Sequence, residues 1–372
     1  MKLALFFAAF LVAGSSGSEA ACVTPSVDQL IKLDGHPFAI EPTADNCYLF
    51  VSYQAAKAGM IAVLENDVGK VRLIRTVDTG NKVAGGLSLS HDGRLLAVAG
   101  YNGIGLFASD RLITGGTNPK IAALDEGDKG AIFPIFAHDD RNLFVSEEQN
   151  NTILVIDVAL LREGDSNRAK IGRIPVGRSP VGLALSPDGA LLFATSEAMA
   201  GAGPCPTDFG HGTQAEGALF IIDTGKAVGD PRHGVRKGVK AGCSPVRVVV
   251  SADGRALWVS ERGSDRVLGL DPTILMSGAS RLELTSVSVG KSPIGLAIRG
   301  DASQLWVANS DRFGSGEGSV TVIAPARPGS AELHATYGVG RLPRDVRFMP
   351  DGKTLVLALF KDDTVGIHRT DN

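Results

Sequence analysis

Residues 180–194, PVGLALSPDGALLFA, decide how this 372-residue chain folds. An apolar run over residues 181–185 meets Ser186-Pro187-Asp188-Gly189 and is followed at once by a second apolar run. Proline supplies a fixed φ, aspartate a side chain that bonds its own backbone, and glycine a residue free to take positive φ. The stretch therefore reads as a β-hairpin.

The phrase recurs along the chain. Close copies begin at Pro245 (PVRVVVSADGRALWVS), Pro293 (PIGLAIRGDASQLWVA) and Pro343 (PRDVRFMPDGKTLVLA), and weaker ones at Pro37, Ala84 and Ala131. Taking these seven residues as anchors, the second run always starts twelve positions on, at Leu49, Leu96, Leu143, Leu192, Leu257, Leu305 and Leu355. The turn aspartate keeps one offset as well: Asp45, Asp92, Asp139, Asp188, Asp253, Asp301 and Asp351. Each copy continues with an alternating third strand, such as residues 152–157 (TILVID), 218–223 and 319–323. A more polar fourth strand follows, as at 71–77, 170–176, 284–289 and 332–339. Hydrophobic periodicity is two, with no sustained helical pattern. Seven four-stranded repeats of roughly 47 residues predict an all-β, seven-bladed β-propeller occupying residues 21–372 as one domain. Residues 27–33 supply a fourth strand with no blade before it, and the chain stops after a third strand at 364–368. The ring is expected to close with the N-terminal strand on the last blade, covering two exposed sheet edges.

The repeat wording, G-x-S-P-x-x-x-x-x-S-P-D-G-x-x-L-[FYW]-V-[AS], is best kept at residues 177–194 and 242–260. It resembles the YVTN family of propellers, built of WD-like repeats, and more distantly the lactonase-like propellers. The first resemblance implies fold more than function, because one scaffold carries many activities. The second implies Arg combined with Glu or His around the channel. Pro343-Arg344 matches a dipeptide of that family, with Asp345 where His commonly follows. Arg247, Glu261 and Arg262 lie in a segment that resembles one of its blades.

Ahead of the repeats, Lys2 and the apolar residues 3–12 form a signal-peptide pattern, too short to span a bilayer. Ser18-Glu19-Ala20 places cleavage after Ala20, with Ala21 the alternative, so residues 1–20 are expected to be removed and the protein secreted or periplasmic. A lipidated Cys22 is opposed by Glu19, which stands where a lipobox carries an aliphatic residue. No later stretch reads as a transmembrane helix. Charge is nearly balanced, 37 Lys+Arg against 40 Asp+Glu, which argues against nucleic-acid binding. A monomer is expected.

Four cysteines in an exported chain read as two disulfides, with three possible pairings. The repeat register selects among them. Anchors are spaced 47, 47, 49, 65, 48 and 50 residues apart, so blade 4 carries an insertion at 198–217 between its second and third strands. That loop and the link into the next blade share one face, which pairs Cys205 with Cys243. Cys22 and Cys47 fall together on the opposite face. Blade 6 has a smaller insertion at 311–318.

Candidate chemistry gathers where the inner strands begin. Two positions past the anchors stand Ala39, Gly86, Phe133, Gly182, Arg247, Gly295 and Asp345, of which Arg247 and Asp345 are charged. The second strands end at Glu147, Glu261 and Asn309, among others, followed by Glu148, Glu197, Arg262 and Phe360. Links between blades add Arg178, Lys291, Arg341 and Arg344. Arginine clamps carboxylate or phosphate, and a crowded Glu can act as acid or base. The ligand-binding candidates are thus Glu147, Glu197, Arg247, Glu261, Arg262, Asn309, Arg344 and Asp345. The bland alternative is that these charges only neutralise one another around a water-filled channel. The seven histidines are scattered, with neither His-x-x-x-His nor Cys-x-x-Cys, so no metal or cofactor is expected. Asp208-Phe209-Gly210 and His211 read as loop residues. The leading functional reading is a binding protein for a small ligand or protein partner at one face of the channel. The alternatives are a hydrolase of small carboxylated lactones using Arg247, Glu261 and Arg344, and a surface adhesion scaffold.

Overall fold

The hairpin turns are built by a local device that explains the repeated wording. In the computed structural model the Ser186 hydroxyl donates to Asp188 Oδ1 at 2.5 Å, and Oδ1 accepts the Ala190 N–H at 3.0 Å. Ser186 Oγ in turn accepts the Leu191 N–H at 2.9 Å. The same hydroxyl–carboxylate pair recurs at Ser90–Asp92, Ser251–Asp253 and Thr43–Asp45. These side chains satisfy turn amides that neither strand can reach, and so fix where each hairpin reverses.

The structure describes residues 22–199, 201, 203–205, 215–276, 285–314 and 317–370. They form seven four-stranded antiparallel sheets in a ring, each meandering from the channel outward. Blade 1 comprises His36–Pro42, Tyr48–Gln54, Gly59–Asp67 and Lys70–Asp78. Blade 7 comprises Pro343–Phe348, Thr354–Leu359 and Thr364–Arg369, completed on its outer edge by Gln29–Lys32. The predicted closure is the observed one. Both disulfides form as the register required, Cys22–Cys47 and Cys205–Cys243. Such bonds fit an oxidising compartment. Residues 1–20, read as a signal peptide, and 208–211 lie outside the described residues, as does much of the blade 4 insertion. Among the described residues no helix is long and apolar enough to cross a membrane.

The core lies between blades, not within them. Successive residues of a second strand point to opposite neighbours: Leu49 and Val51 pack with Val356 and Ala358 of blade 7, while Phe50 packs with Leu96 and Val98 of blade 2. A single sheet would leave both sets exposed, and each such side chain contributes about 1.5–3 kcal/mol when buried. Trp258 is fully enclosed, and its indole N–H is satisfied by the Ala326 carbonyl at 3.1 Å. The Ala/Ser position of the repeat wording also joins blades. Ser52, Ser146, Thr195 and Ser260 each accept an inner-strand N–H of their own blade and donate to an inner-strand carbonyl of the next, at 2.6–2.9 Å for the donated bond.

Short helical turns follow several third strands, a feature the strand periodicity does not announce. Val158–Arg162 starts where Asp157 Oδ1 accepts the Leu160 N–H, and Thr224–Gly229 where Asp223 accepts that of Lys226. Such caps explain the aspartates that end TILVID and ALFIID.

Candidate functional site

Each blade sends two connections to one face: the loop between its second and third strands, and its link to the next blade. We call this the upper face. In six inner strands the pairing register slips just past the anchor, as between Pro37 and Ala39 and between Pro343 and Asp345. A bulge there re-aims a side chain that regular pairing would direct between the sheets. Two arginines lie within these bulges, Arg344 one residue and Arg247 two residues past its anchor. The Arg344 guanidinium lies 4.0 Å over the Phe38 ring and 5.3 Å from that of Phe360. Arg247, only 7% exposed, lies 3.6 Å over the ring of Phe133 two blades away. Blade 4 between them carries Gly182, where a Cβ would stand 2.5 Å from the Val246 carbonyl and 2.9 Å from the Arg247 Cα, so the inner strands of blades 4 and 5 approach closely there.

Neither arginine makes an ion pair or a side-chain hydrogen bond among the described residues, and the Nε atoms of Arg247, Arg344 and Arg262 are buried without a partner. Burial pushes Arg247 down to about 10 against the attraction of Asp345, and Arg344 to about 9, the latter helped by repulsion from Arg247, Arg312 and Arg262 and opposed by Glu148. Arg262 pairs with Glu197 at 2.7 Å. Glu148 faces the same group; burial and Glu197 raise its pKa, while Arg262, Arg344 and Arg312 oppose the rise. The mouth thus holds Arg247, Arg262, Arg312 and Arg344 against Glu148 and Glu197, with Asp345, itself 3.7 Å from Arg347, acting on Arg247 as well. Cations stacked on rings and short of anions are set to take an anionic ligand.

The remaining predicted residues are held by other partners. Asp345 is buried near enough to Arg247 to favour its charge, but accepts the Ile40 N–H at 3.0 Å and lies 3.7 Å from Arg347. Glu147 turns away from the channel to Arg173 of the fourth strand at 2.8 Å, a guanidinium it shares with Glu126. Glu261 accepts from Ser264 Oγ at 2.6 Å and from the Cys243 N–H at 3.4 Å, packed where a Cβ on Gly242 would collide with it. Burial raises its pKa, and the guanidinium that opposes this is that of Arg266 rather than Arg247. Asn309 donates to Ser319 and Thr321. Lys291 pairs with Asp265 and Arg341 with Asp362. The structure therefore brings Arg247, Arg344, Arg262 and Glu197 together, and separates Glu147, Glu261 and Asn309 from them. Phe38, Glu148 and Arg312 join the site without having been singled out as ligand candidates. Arg312 comes from the short blade 6 insertion, whose extra length was visible in the anchor spacing.

Comparison with known proteins supports the fold alone. No family model matches the chain, and no curated protein matches it. Among solved structures it is similar to the hydrazine synthase of Kuenenia stuttgartiensis, with TM-score 0.68 and 17% identity over 91% of this chain and 97% of that one. It is equally similar to the Cps50 (Swd1) β-propeller domain of Myceliophteria thermophila, with TM-score 0.68 and 11% identity over 93% and 100%.

Proposed function

We propose that this is an exported, YVTN-type propeller that binds a small anion, a carboxylate or a group of like charge, in the upper mouth of its channel. The observation that carries the reading is the pair Arg247 and Arg344, one buried and one half-buried on aromatic rings, neither of them in an ion pair among the described residues. A buried cation lacking a partner destabilises the fold that holds it, so its retention is accounted for by a ligand that completes it. The two disulfides support the exported location. A lactone-hydrolysing variant of the reading requires a carboxyl beside the arginines, and Glu148 rather than Glu261 holds that place.

The test is ligand-dependent stability. Citrate, malonate, phosphate and sulfate are compared with chloride at constant ionic strength, with wild type and with Arg344→Met and Arg247→Met. At a hundred times Kd an anion stabilises the native state by about 2.7 kcal/mol. Both substitutions should abolish that gain while raising the stability of the ligand-free protein by about 1–3 kcal/mol, because each removes a desolvated charge held in no ion pair. Arginines with a merely structural role would instead lower ligand-free stability when replaced. Equal shifts with chloride, or shifts that survive the double substitution, overturn the proposal.

A further inference from the structure

Below the layer formed by Phe133, Arg247 and Asp345 the channel opens again, toward the face that carries the hairpin turns. The space is a chamber of about 610 Å³, within the range of small-molecule sites. Its wall is divided. Inner strands of blades 2 to 5 contribute an apolar arc that includes Leu87, Ile135, Ala184 and Val249, while blades 1 and 7 contribute Glu41 and Arg347. Glu41, Ile135, Ala184, Val249 and Arg347 all stand four residues past their anchors, so equivalent positions of the repeat carry opposite chemistry on the two sides.

Glu41 makes no ion pair among the described residues. Arg347 favours its ionised form and Asp345 opposes it more weakly, and Arg347 lies 3.7 Å from Asp345. The Arg347 guanidinium is further held toward the Ile40 carbonyl at 3.4 Å. The Leu89 backbone N–H of blade 2 also favours the ionised form of Glu41, the weakest of the influences on it. His91 and His138 stand at the rim, with His91 Nδ1 2.9 Å from Asp140. A carboxyl enclosed in this way either keeps a proton or meets a cation. Glu41 is accordingly raised to about 7, chiefly by burial.

We propose that this chamber is a second ligand site, opening on the face opposite the arginine-lined mouth, and that it takes a small organic ammonium ion with its head on Glu41 and its hydrocarbon body along the apolar arc. A carboxylate is disfavoured because Arg347 is already served by Asp345 and would leave Glu41 unanswered. A neutral alcohol gains the apolar contact but not the charge. The ammonium displaces the proton of Glu41, so binding releases a proton below pH 7 and weakens with acidification.

The experiment is calorimetric titration of the disulfide-bonded protein with butylammonium, butanol and butyrate at pH 8.5 and 5.5. Butylammonium should bind best. Its affinity should fall about 30-fold between the two pH values, the loss in ionised Glu41 for a pKa near 7. At pH 7 the heat should vary with the ionisation enthalpy of the buffer. Glu41→Gln should weaken butylammonium at least tenfold and remove the pH dependence of binding. It should also unfold at the same temperature as wild type or higher, which separates loss of the site from loss of the fold. Ala184→Phe, which narrows the chamber from the apolar side, should weaken butylammonium with Glu41 intact. Arg344→Met should leave it unchanged, which keeps the test independent of the upper mouth. Butyrate or butanol binding as well as butylammonium, or unchanged butylammonium affinity in Glu41→Gln, overturns the proposal.

Discussion

Glu147 and Glu148 are adjacent in sequence, and their side chains serve different ends. Glu147 is 1% exposed and held by Arg173, Thr152 and Asn150, whereas Glu148 faces the arginines of the mouth. Glu147→Ala should therefore lower stability by about 2–3 kcal/mol, less than the loss of a fully buried partner because Arg173 retains some solvent, and should leave anion affinity unchanged. Glu148→Gln should change stability little and tighten anion binding several-fold, since it removes a negative charge beside Arg344. Urea unfolding and calorimetry on the two variants read both outcomes, and exchanged phenotypes would invalidate the assignment of the mouth. The sequence singles out Glu147 as a ligand candidate and marks Glu148 only as its neighbour. Strand parity could have separated them, because only one of two successive residues can face a given side. The bulges that re-aim Arg344 and Phe38 had no such signal, for they arise from the meeting of two strands and leave no mark in either one. Aromatic partners two blades apart are invisible for the same reason.

At the scale of elements the repeat register was almost fully legible, because turn aspartates and second-strand leucines recur at fixed offsets and each answers a local requirement. Ring closure was legible too: an orphan fourth strand at one end and a missing one at the other can be reconciled in one way. The helical turns after the third strands were not, since five or six residues hold too little periodicity to register and only the capping aspartate betrays them. The closing strand, Gln29–Lys32, is four residues long with Leu30 68% exposed, so its own packing is slight. The Cys22–Cys47 bond, with the Cys22 N–H bonded to the Asp45 carbonyl at 2.9 Å, ties it to blade 1. Replacing both cysteines by serine should lower stability by about 3 kcal/mol through the freed unfolded chain. It should also speed hydrogen exchange at residues 364–369, whose outer partner then frays. Serine at Cys205 and Cys243 should leave that exchange untouched. Equal exchange in both double variants would show that the first bond does not act as a clasp.

For the whole molecule, the hairpin face and the channel pull the pH dependence of stability in opposite directions. Asp92, Asp188, Asp253 and Asp301, in the turns, titrate below their ordinary value. For Asp188, Asp253 and Asp301 the leading cause is the hydroxyl hydrogen bond from Ser186, Ser251 and Ser303 respectively; for Asp92 the bonds from Ser90 and the Arg94 N–H outweigh its burial. A carboxylate whose folded pKa is depressed contributes stability above its unfolded value, near 3.9, and loses it as pH falls through the folded value. Glu41, Glu148 and Glu261 are raised, each chiefly by burial. Their contribution is complete below an unfolded value near 4.5 and is lost as pH rises, for Glu41 up to about 7. The two windows leave an interval between them, so thermal stability should peak near pH 4–5 rather than at neutrality. Acid loss below that peak comes from these four turn aspartates, and the decline toward pH 7 comes from Glu41, Glu148 and Glu261. Glu41→Gln should flatten the limb between pH 4.5 and 7 without moving the acid limb, because the turn aspartates are held by their own hydroxyl and backbone partners and not by Glu41. Melting temperatures measured from pH 3 to 8 on wild type and Glu41→Gln decide the matter. A wild-type maximum at or above pH 7, or an identical decline in the variant, would mean that the channel carboxyls do not carry the desolvation on which the lower-chamber proposal depends.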